Sequence, residues 1–141
     1  MGPGQKRRDL QGNAQAKIDD ALILLKEKRY SNAYYLSGYA VEIGLKACIA
    51  AQITAETLPD KTFLKKIMSH EFKVLIGLAG LAGALKDEEN ANPVFAANWA
   101  VALQWEPDAR YEAIDVVSAQ LMVGAIADTT AGVLKWIKAH W

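Results

Sequence analysis

Two side chains of this 141-residue sequence combine a reactive group with an unusual position. His70 opens a predicted helix, where it could act as a general acid or base, and a structural role at the helix start is the alternative. Arg110 lies in the first turn of another predicted helix, where a cation faces the positive end of the helix dipole. An unfavourable local arrangement of this kind can indicate a functional residue. The alternative is an ion pair with Asp108 or Glu112, or with another carboxylate across a dimer.

A basic stretch over residues 60–73 is the best electrostatic candidate for contact with phosphate groups. It contains Lys61, Lys65, Lys66 and Lys73, against Asp60 and Glu71. Four positive charges minus two negative ones leave the stretch locally positive, and Lys65 and Lys66 are its candidate ligand-binding side chains. An ordinary solvated helix face is the alternative.

Composition and motif content exclude several classes of function. Sixteen basic and sixteen acidic residues cancel, so the chain lacks the broad positive field of a non-specific nucleic-acid binder. The single cysteine, Cys48, excludes an internal disulfide, and no Cys/His spacing fits a zinc site. No glycine-rich phosphate loop or nucleophile–base pair occurs elsewhere, and we expect neither a cofactor nor a metal.

The apolar pattern is most complete over residues 29–50, which predicts a helix that the other elements surround. Its apolar residues cover the whole circumference, and such a helix must be buried by neighbours. Ser31 is its predicted N-cap. The polar exceptions form one seam, Tyr35, Tyr39, Glu42 and Lys46. Glu42 precedes Lys46 by one turn, the favourable order for a helical ion pair.

The remaining pattern predicts an all-α protein, an antiparallel up-and-down bundle of about five helices. Besides the central helix, the predicted helices cover residues 14–28, 61–68, 70–86, 93–106 and 108–141. Asn92–Pro93 predicts the start of the helix over 93–106, and Trp99 and Trp105 are expected to be core anchors. Residues 1–12 are predicted to be a flexible arm, and residues 13–141 a single domain. A bend is expected around residues 128–132 of the last helix.

Gly77, Gly80 and Gly83 recur every three residues in the helix predicted over 70–86. Each costs about 1 kcal/mol relative to alanine inside a helix, so their presence needs a reason. We expect the close approach of a neighbouring helix there, with a partly broken helix as the alternative.

The length of the last predicted helix indicates that the chain forms a homodimer. Unbroken, it would be about 45 Å long, more than the shorter helices can cover, so we expect its end to pack on a second copy in a homodimer. No signal peptide opens the chain, and no apolar run is long enough to span a bilayer. We therefore expect a cytoplasmic protein with no membrane contact.

The central helix and the segment around His70 carry two longer motifs. The first, beginning at Arg29, reads R-Y-x-x-A-Y-Y-L-x-G-Y-A-x-E-x-x-L-K-A, and the second is Ser-His-Glu-Phe-Lys-Val-Leu at residues 69–75. They resemble the second helix and the T/S-H-x-L/F-x-x-L segment of the HEPN family, the higher eukaryotes and prokaryotes nucleotide-binding domains. The resemblance reaches from about Ala14 to Leu81 and implies that family's helical fold.

The resemblance also implies where catalysis would occur. RNA-cleaving members share an Arg-x4–6-His motif at the start of a late helix, work without a metal and pair their motifs across a dimer. The matching arginine is Arg110, and after four residues Asp115 stands where histidine is expected. A carboxylate with an ordinary pKa of about 4 is a poor proton donor at neutral pH. Residues 86–112 hold two basic and six acidic groups, which repel RNA. We therefore expect this chain to share the HEPN fold but not the nuclease activity.

The first hypothesis is therefore a catalytically degenerate HEPN-like protein that binds RNA, a nucleotide or a partner protein. Its candidate binding residues are Arg110, Tyr111, Lys65 and Lys66. The resemblance implies a nucleotidyltransferase-type antitoxin as a partner in a toxin–antitoxin system. The alternatives are a dimeric helical interaction or scaffold module without a nucleic-acid role, and an RNase in which a residue such as His70 replaces the missing acid/base.

Overall fold

The computed structural model of the protein describes residues 5–53 and 58–141, with the side chain of Arg110 outside that description. These ranges contain α-helices, one short 3₁₀ helix and no strand. In chain order the elements are α1 (Arg7–Lys26), α2 (Tyr30–Ala50), α3 (Lys61–Ile67), α4 (Phe72–Leu78), α5 (Ala82–Ala91), α6 (Pro93–Ala102), the 3₁₀ helix (Pro107–Tyr111), α7 (Val116–Ala127) and α8 (Val133–Lys138). The prediction of an all-α helical bundle is confirmed, although its helices are shorter and more numerous than expected.

The centre of the bundle is α2, as the sequence predicts. It contacts α1, α4, α7, α8 and the 3₁₀ helix, and residues on all its sides are buried. The prediction of Ser31 as its N-cap is wrong. The helix begins at Tyr30 with Arg29 as its N-cap, and the Ser31 hydroxyl instead accepts a hydrogen bond of 3.0 Å from the backbone N–H of Ile114. Ser31 therefore fastens the segment before α7 onto α2.

The first helix starts earlier than predicted and packs against α2. Residues 7–12, predicted as part of a flexible arm, belong to α1, because Leu10 continues its buried stripe with Ala14, Ile18 and Ala21. The prediction for residues 1–4 lies outside the described residues. Lys28, the middle residue of the α1–α2 connection, adopts the left-handed conformation with φ of 63°. The turn is therefore tight, and the two helices run side by side in opposite directions.

The helix predicted over residues 70–86 is broken into α4 and α5. The break lies at Gly80, whose φ of +71° is readily adopted by glycine and rarely by other residues. No atom outside the local helix lies within 4 Å of a Cβ placed at Gly77 or Gly83. The expected close approach of a neighbouring helix is therefore wrong at these two positions, and the alternative of a broken helix is correct.

The continuous helix predicted over residues 108–141 is also wrong. Asp115 accepts a 2.7 Å hydrogen bond from Ser118 N–H and starts α7, and Asp128 accepts one of 2.9 Å from Ala131 N–H at the predicted bend. Beyond that bend, α8 buries Val133, Leu134 and Ile137 in the chain's own core. The protruding helix end expected to seat a second subunit is therefore absent from the described chain.

The start of α6 follows the sequence prediction. The Asn92 side chain accepts from Phe95 N–H at 3.1 Å, and Pro93 occupies the first helical position. Trp99 and Trp105, predicted as core anchors, are 3% and 5% exposed. Within the described residues, no helix is long and apolar enough to cross a lipid bilayer.

Trp105 packs directly on the backbone of α2. A Cβ built on Gly38 would lie 2.1–2.2 Å from three atoms of the pyrrole ring, Cδ1, Cγ and Nε1, and such a point lies over the face of the ring. Phe72 stacks on the indole at 5.5 Å between ring centroids, with 6° between the planes. Glycine at position 38 is thus required for this close approach.

Replacing Gly38 by alanine tests this packing. The added methyl group would overlap the indole, so α2 and Trp105 must move apart. We expect the free energy of unfolding to fall by about 1–3 kcal/mol, measured by urea denaturation. The control is Gly124→Ala in α7, where no atom would meet the Cβ and alanine should add up to about 1 kcal/mol. A Gly38→Ala variant as stable as the parent would contradict the packing.

Candidate functional site

A buried carboxylate with two basic partners lies on one side of α2. Glu42 is only 3% exposed, and its Oε2 accepts a hydrogen bond of 3.2 Å from Lys46 Nζ on the next turn. Its Oε1 lies 2.6 Å from Nδ1 of His70, in the segment before α4. The predicted Glu42–Lys46 pair is present, and His70 completes it from 28 positions away in the chain.

The contact with Glu42 orders the imidazole of His70. An ionised carboxylate only accepts hydrogen bonds, so we assign the proton of this contact to Nδ1. Nε2 then remains as the free ring nitrogen, an acceptor in the neutral imidazole. The His70 side chain is 56% exposed, so this nitrogen is accessible to a ligand. A carboxylate that fixes one nitrogen and leaves the other for chemistry is a recurrent acid–base arrangement.

His70 stands between two adjoining depressions, which we call together the His70 cleft. The smaller, of about 100 Å³, is lined by Tyr35, Tyr39, Glu42, His70, Trp105 and Pro107. The larger, of about 330 Å³, is lined by His70, Glu71, Phe72, Lys73, Leu103, Trp105, Glu106 and Pro107. His70, Trp105 and Pro107 line both, so one ligand could contact all three side chains.

The walls of the His70 cleft contain three polar aromatic side chains, Tyr35, Tyr39 and Trp105. Burial, followed by the nearby charge of Glu42, raises the pKa of Tyr39, so its phenol keeps its proton and can donate. The indole Nε1 of Trp105 is buried and has no hydrogen-bond partner among the described residues. An unsatisfied buried donor costs about 1–3 kcal/mol.

Lys65 and Lys66 line a separate open groove of about 560 Å³ beside α3, which we call the lysine groove. Both side chains are exposed, and neither forms an ion pair with a described residue. The hydroxyl-bearing Thr62 and Ser69 lie in the same groove. Glu71 lines both this groove and the His70 cleft, so the two surfaces adjoin.

The predicted Arg110/Asp115 position has a different local structure from the one expected. Arg110 and Tyr111 lie in the five-residue 3₁₀ helix, and not in the first turn of a long helix. The argument from the helix dipole therefore does not apply to Arg110. Tyr111 is 75% exposed. Asp115 is exposed and is the N-cap of α7. The sequence prediction joined Arg110 and Asp115 in one motif, but the two residues belong to different structural elements.

The capping hydrogen bonds set the charge of Asp115. The bonds from Ser118, first from its backbone N–H, lower the pKa of this carboxyl below its ordinary value. The stabilisation from its charge is therefore present above the ordinary pKa and is lost as the pH falls through the lowered one. At neutral pH the side chain is a charged acceptor with no proton to donate.

Other reactive groups are inert or scattered. Cys48 is buried, its Sγ lies 3.7 Å from the carbonyl oxygen of Ile137, and burial raises its pKa to about 12. In the part of the chain that the structure describes, no three His, Cys, Asp or Glu side chains are grouped to hold a metal ion.

The sequence singled out His70, Glu42 and Trp105, but for unrelated reasons. Glu42 was expected to pair with Lys46, Trp105 to anchor the core, and His70 to act alone or cap a helix. Nothing in their spacing indicates that they meet, because the contacts cross three different elements. The one available signal is the placement of an acidic residue on an otherwise buried helix, which requires a partner.

Comparisons with models of known protein families, with curated proteins and with solved structures found no match. The HEPN resemblance therefore rests on the two sequence motifs.

Replacement of Glu42 by alanine tests the buried cluster. The change removes the shared partner of Lys46 and His70, but both can turn to water because they are partly exposed. We expect a loss of about 2–3 kcal/mol in unfolding free energy, below the 3–5 kcal/mol of a fully buried pair. Chemical denaturation measures it, with the exposed Glu71→Ala as control, expected to cost under about 1 kcal/mol. Equal stability of both variants would show that the cluster is solvated.

Proposed function

We propose that the protein is a catalytically degenerate HEPN-like component of a toxin–antitoxin-type system, and that it binds RNA through the lysine groove. A nucleotide or a partner protein is the alternative ligand. The proposal combines the two HEPN-like motifs with the position of Lys65 and Lys66 on the described surface.

The observation that carries the RNA-binding part is the lysine groove itself. Two adjacent ammonium groups, exposed and without carboxylate partners, line a groove that also offers the hydroxyl groups of Thr62 and Ser69. Phosphate contacts of this kind provide sequence-independent affinity for nucleic acid. Glu71 also lines the groove, whereas Asp60, the N-cap of α3, accepts a hydrogen bond of 2.7 Å from Phe63 N–H. Its hydrogen bond holds it at the other end of the helix from the two lysines.

The proposed lack of RNase activity is supported by the role of Asp115. This residue is ionised, acts only as an acceptor and is engaged with Ser118. The general acid/base that would contribute about 10²–10⁴-fold to cleavage is therefore missing at this position. Arg110 and Tyr111 remain candidate contacts for bound RNA.

The lysine groove is tested by RNA binding of a charge-reversed variant. Lys65→Glu/Lys66→Glu should weaken binding of a fluorescent single-stranded RNA in an anisotropy titration. The slope of log K against log salt should become shallower by about 1.4, because two phosphate contacts are lost at about 0.7 each.

The matched control for this titration is Lys26→Glu/Lys86→Glu. It makes the same charge change at exposed lysines of α1 and α5. Equal loss of affinity in both double variants would show that net charge alone drives binding. No binding by the parent protein would reject RNA as the ligand.

A second candidate function, an RNase that uses His70, is favoured by one observation. Nδ1 of His70 lies 2.6 Å from the buried carboxylate of Glu42, an arrangement that could serve a general base. The cleft also contains Glu71 and Glu106, which oppose an approaching phosphate. We therefore rank this function second.

An RNA-cleavage assay with chelator present separates the two candidates. We expect no cleavage by the unmodified protein and weak cleavage by Asp115→His, which restores the Arg-x4-His pattern. That cleavage should vanish when Arg110→Ala is added. Cleavage by the unmodified protein that is lost in His70→Ala and kept in Asp115→Ala would establish the second candidate.

The homodimer predicted from the sequence is also part of the proposal, but at a different surface. The outward side of α7 exposes Val117 and Leu121, which are 60% and 58% exposed and one turn apart. Packing of this face on a second copy would remove both side chains from water. A dimer that binds no RNA would favour the scaffold alternative.

Light scattering of Leu121→Glu tests the dimer. We expect the parent to have a dimer mass at micromolar concentration and this variant to have a monomer mass, because a charge would be buried in the interface. Gln120→Glu introduces the same charge at the neighbouring exposed position and should remain a dimer. A monomeric parent would contradict the proposal.

The remaining expectations stay predictions. The nucleotidyltransferase-type antitoxin partner is implied only by the HEPN resemblance. The cytoplasmic location is likewise a sequence-based prediction.

A further inference from the structure

We propose that His70 is a base-stacking position beside the lysine groove: the bound RNA is single-stranded, and one of its bases lies on the imidazole ring. The stacking position rests on the proposed RNA binding through the lysine groove. His70 then has a role in binding, which differs from the general base of the second candidate function.

The imidazole of His70 is both exposed and held in place. Its side chain is 56% exposed. A flat ring with both faces covered would expose only an edge, so at least one face of this ring is open to solvent. Its Nδ1 lies 2.6 Å from the buried Glu42, which also accepts a hydrogen bond from Lys46. The ring is therefore oriented before a ligand arrives, which lowers the entropy cost of binding.

The segment before α4 connects this ring to the lysine groove. Ser69 lines the groove, His70 lines the cleft, and Glu71 lines both. Consecutive Cα atoms are only about 3.8 Å apart, so the two surfaces meet along this segment. In a nucleotide one sugar joins the phosphate to the base. One nucleotide can therefore place its phosphate in the groove and its base on His70.

The charges of the two surfaces set the direction in which the nucleotide lies. The lysine groove has two lysines and one carboxylate, Glu71, which leaves it with one positive charge. The larger depression of the cleft has one lysine, Lys73, and two carboxylates, Glu71 and Glu106, which leave one negative charge. The phosphates are therefore better compensated in the groove. The base, which carries no charge, is the part of the nucleotide that reaches His70.

Stacking on His70 requires a base that is free to leave its neighbours. The bases of a duplex are paired and stacked on each other, whereas those of a single strand can turn out onto an aromatic side chain, histidine included. Every base has a π-face, so this contact is tolerant of sequence. The larger depression, of about 330 Å³, is within the range of small-molecule sites. The ligand class is therefore single-stranded RNA of any sequence.

Anisotropy titrations of a fluorescent oligouridine with His70→Ala test the stacking position. We expect affinity to fall about five- to 150-fold, the usual effect of removing a stacking side chain. At about pH 8 an ordinary imidazole is uncharged. The slope of log K against log salt should therefore stay the same, because no phosphate contact is lost. The matched control is His140→Ala, which removes the other histidine, exposed just beyond α8, and should bind like the parent.

Two further variants separate stacking from support of the fold. His70→Phe keeps an aromatic face but cannot bond to Glu42, whereas His70→Gln keeps an N–H donor for Glu42 but has no ring. Stacking predicts that the Phe variant retains most of the affinity and that the Gln variant binds as weakly as His70→Ala. A purely structural role predicts the reverse order. If the Phe variant does not fold, as urea denaturation would show, the comparison of Gln with Ala still decides.

A duplex RNA of the same length completes the test. Its affinity should be the same for the parent and for His70→Ala, because only phosphate contacts hold it. Unchanged oligouridine affinity in His70→Ala, with binding still weakened by Lys65→Glu/Lys66→Glu, would overturn the stacking position and leave the lysine groove in place. Full affinity in His70→Gln would overturn it as well. No binding of either RNA by the parent would reject the proposed function and the stacking position together.

Discussion

The contact between the indole of Trp105 and the bare backbone of α2 at Gly38 fixes the relative positions of the elements around the site. It places the end of α6 against α2, and Phe72 stacks on the same indole. Phe72 opens α4, so this stack also brings the segment with His70 alongside α2. Because Gly38 has no side chain, α2, α4 and the end of α6 can meet at this point.

The buried charge of Glu42 adds a second constraint of a different kind. Burying a carboxylate is costly unless cations and hydrogen bonds compensate it. Lys46 compensates locally on the same helix, whereas His70 must come from residues 69–71, which lie between α3 and α4. The need for a second partner therefore fastens an irregular segment to the most buried helix. Aromatic packing and charge compensation act on the same few residues, which explains why the cleft is well defined.

The parts of the fold that local pattern determines were predictable. The apolar circumference of α2 and the Asn92–Pro93 start of α6 are both seen. The break before α7 was not predicted, because Asp115 reads equally well as a solvated helix residue or as a cap. Its role is decided by the hydrogen bond to Ser118.

The site was predictable only as separate residues. His70, Glu42 and Trp105 stood out one by one, but their meeting depends on how α2, α4 and the end of α6 pack. Helical periodicity carries no information on which faces of different helices come together. The HEPN resemblance stays a prediction, since it rests on motifs and not on a matching structure.

The state of Cys48 has a practical consequence for labelling. The sequence has a single cysteine, and that thiol is buried with its pKa raised to about 12. Because the thiolate is the reactive form, this side chain is unreactive towards maleimides and similar reagents at neutral pH. A cysteine introduced on the surface, for example in α3, would then be the one reactive thiol. A fluorophore or spin label on that cysteine could report on the lysine groove or on the His70 cleft, and Cys48 would not have to be removed.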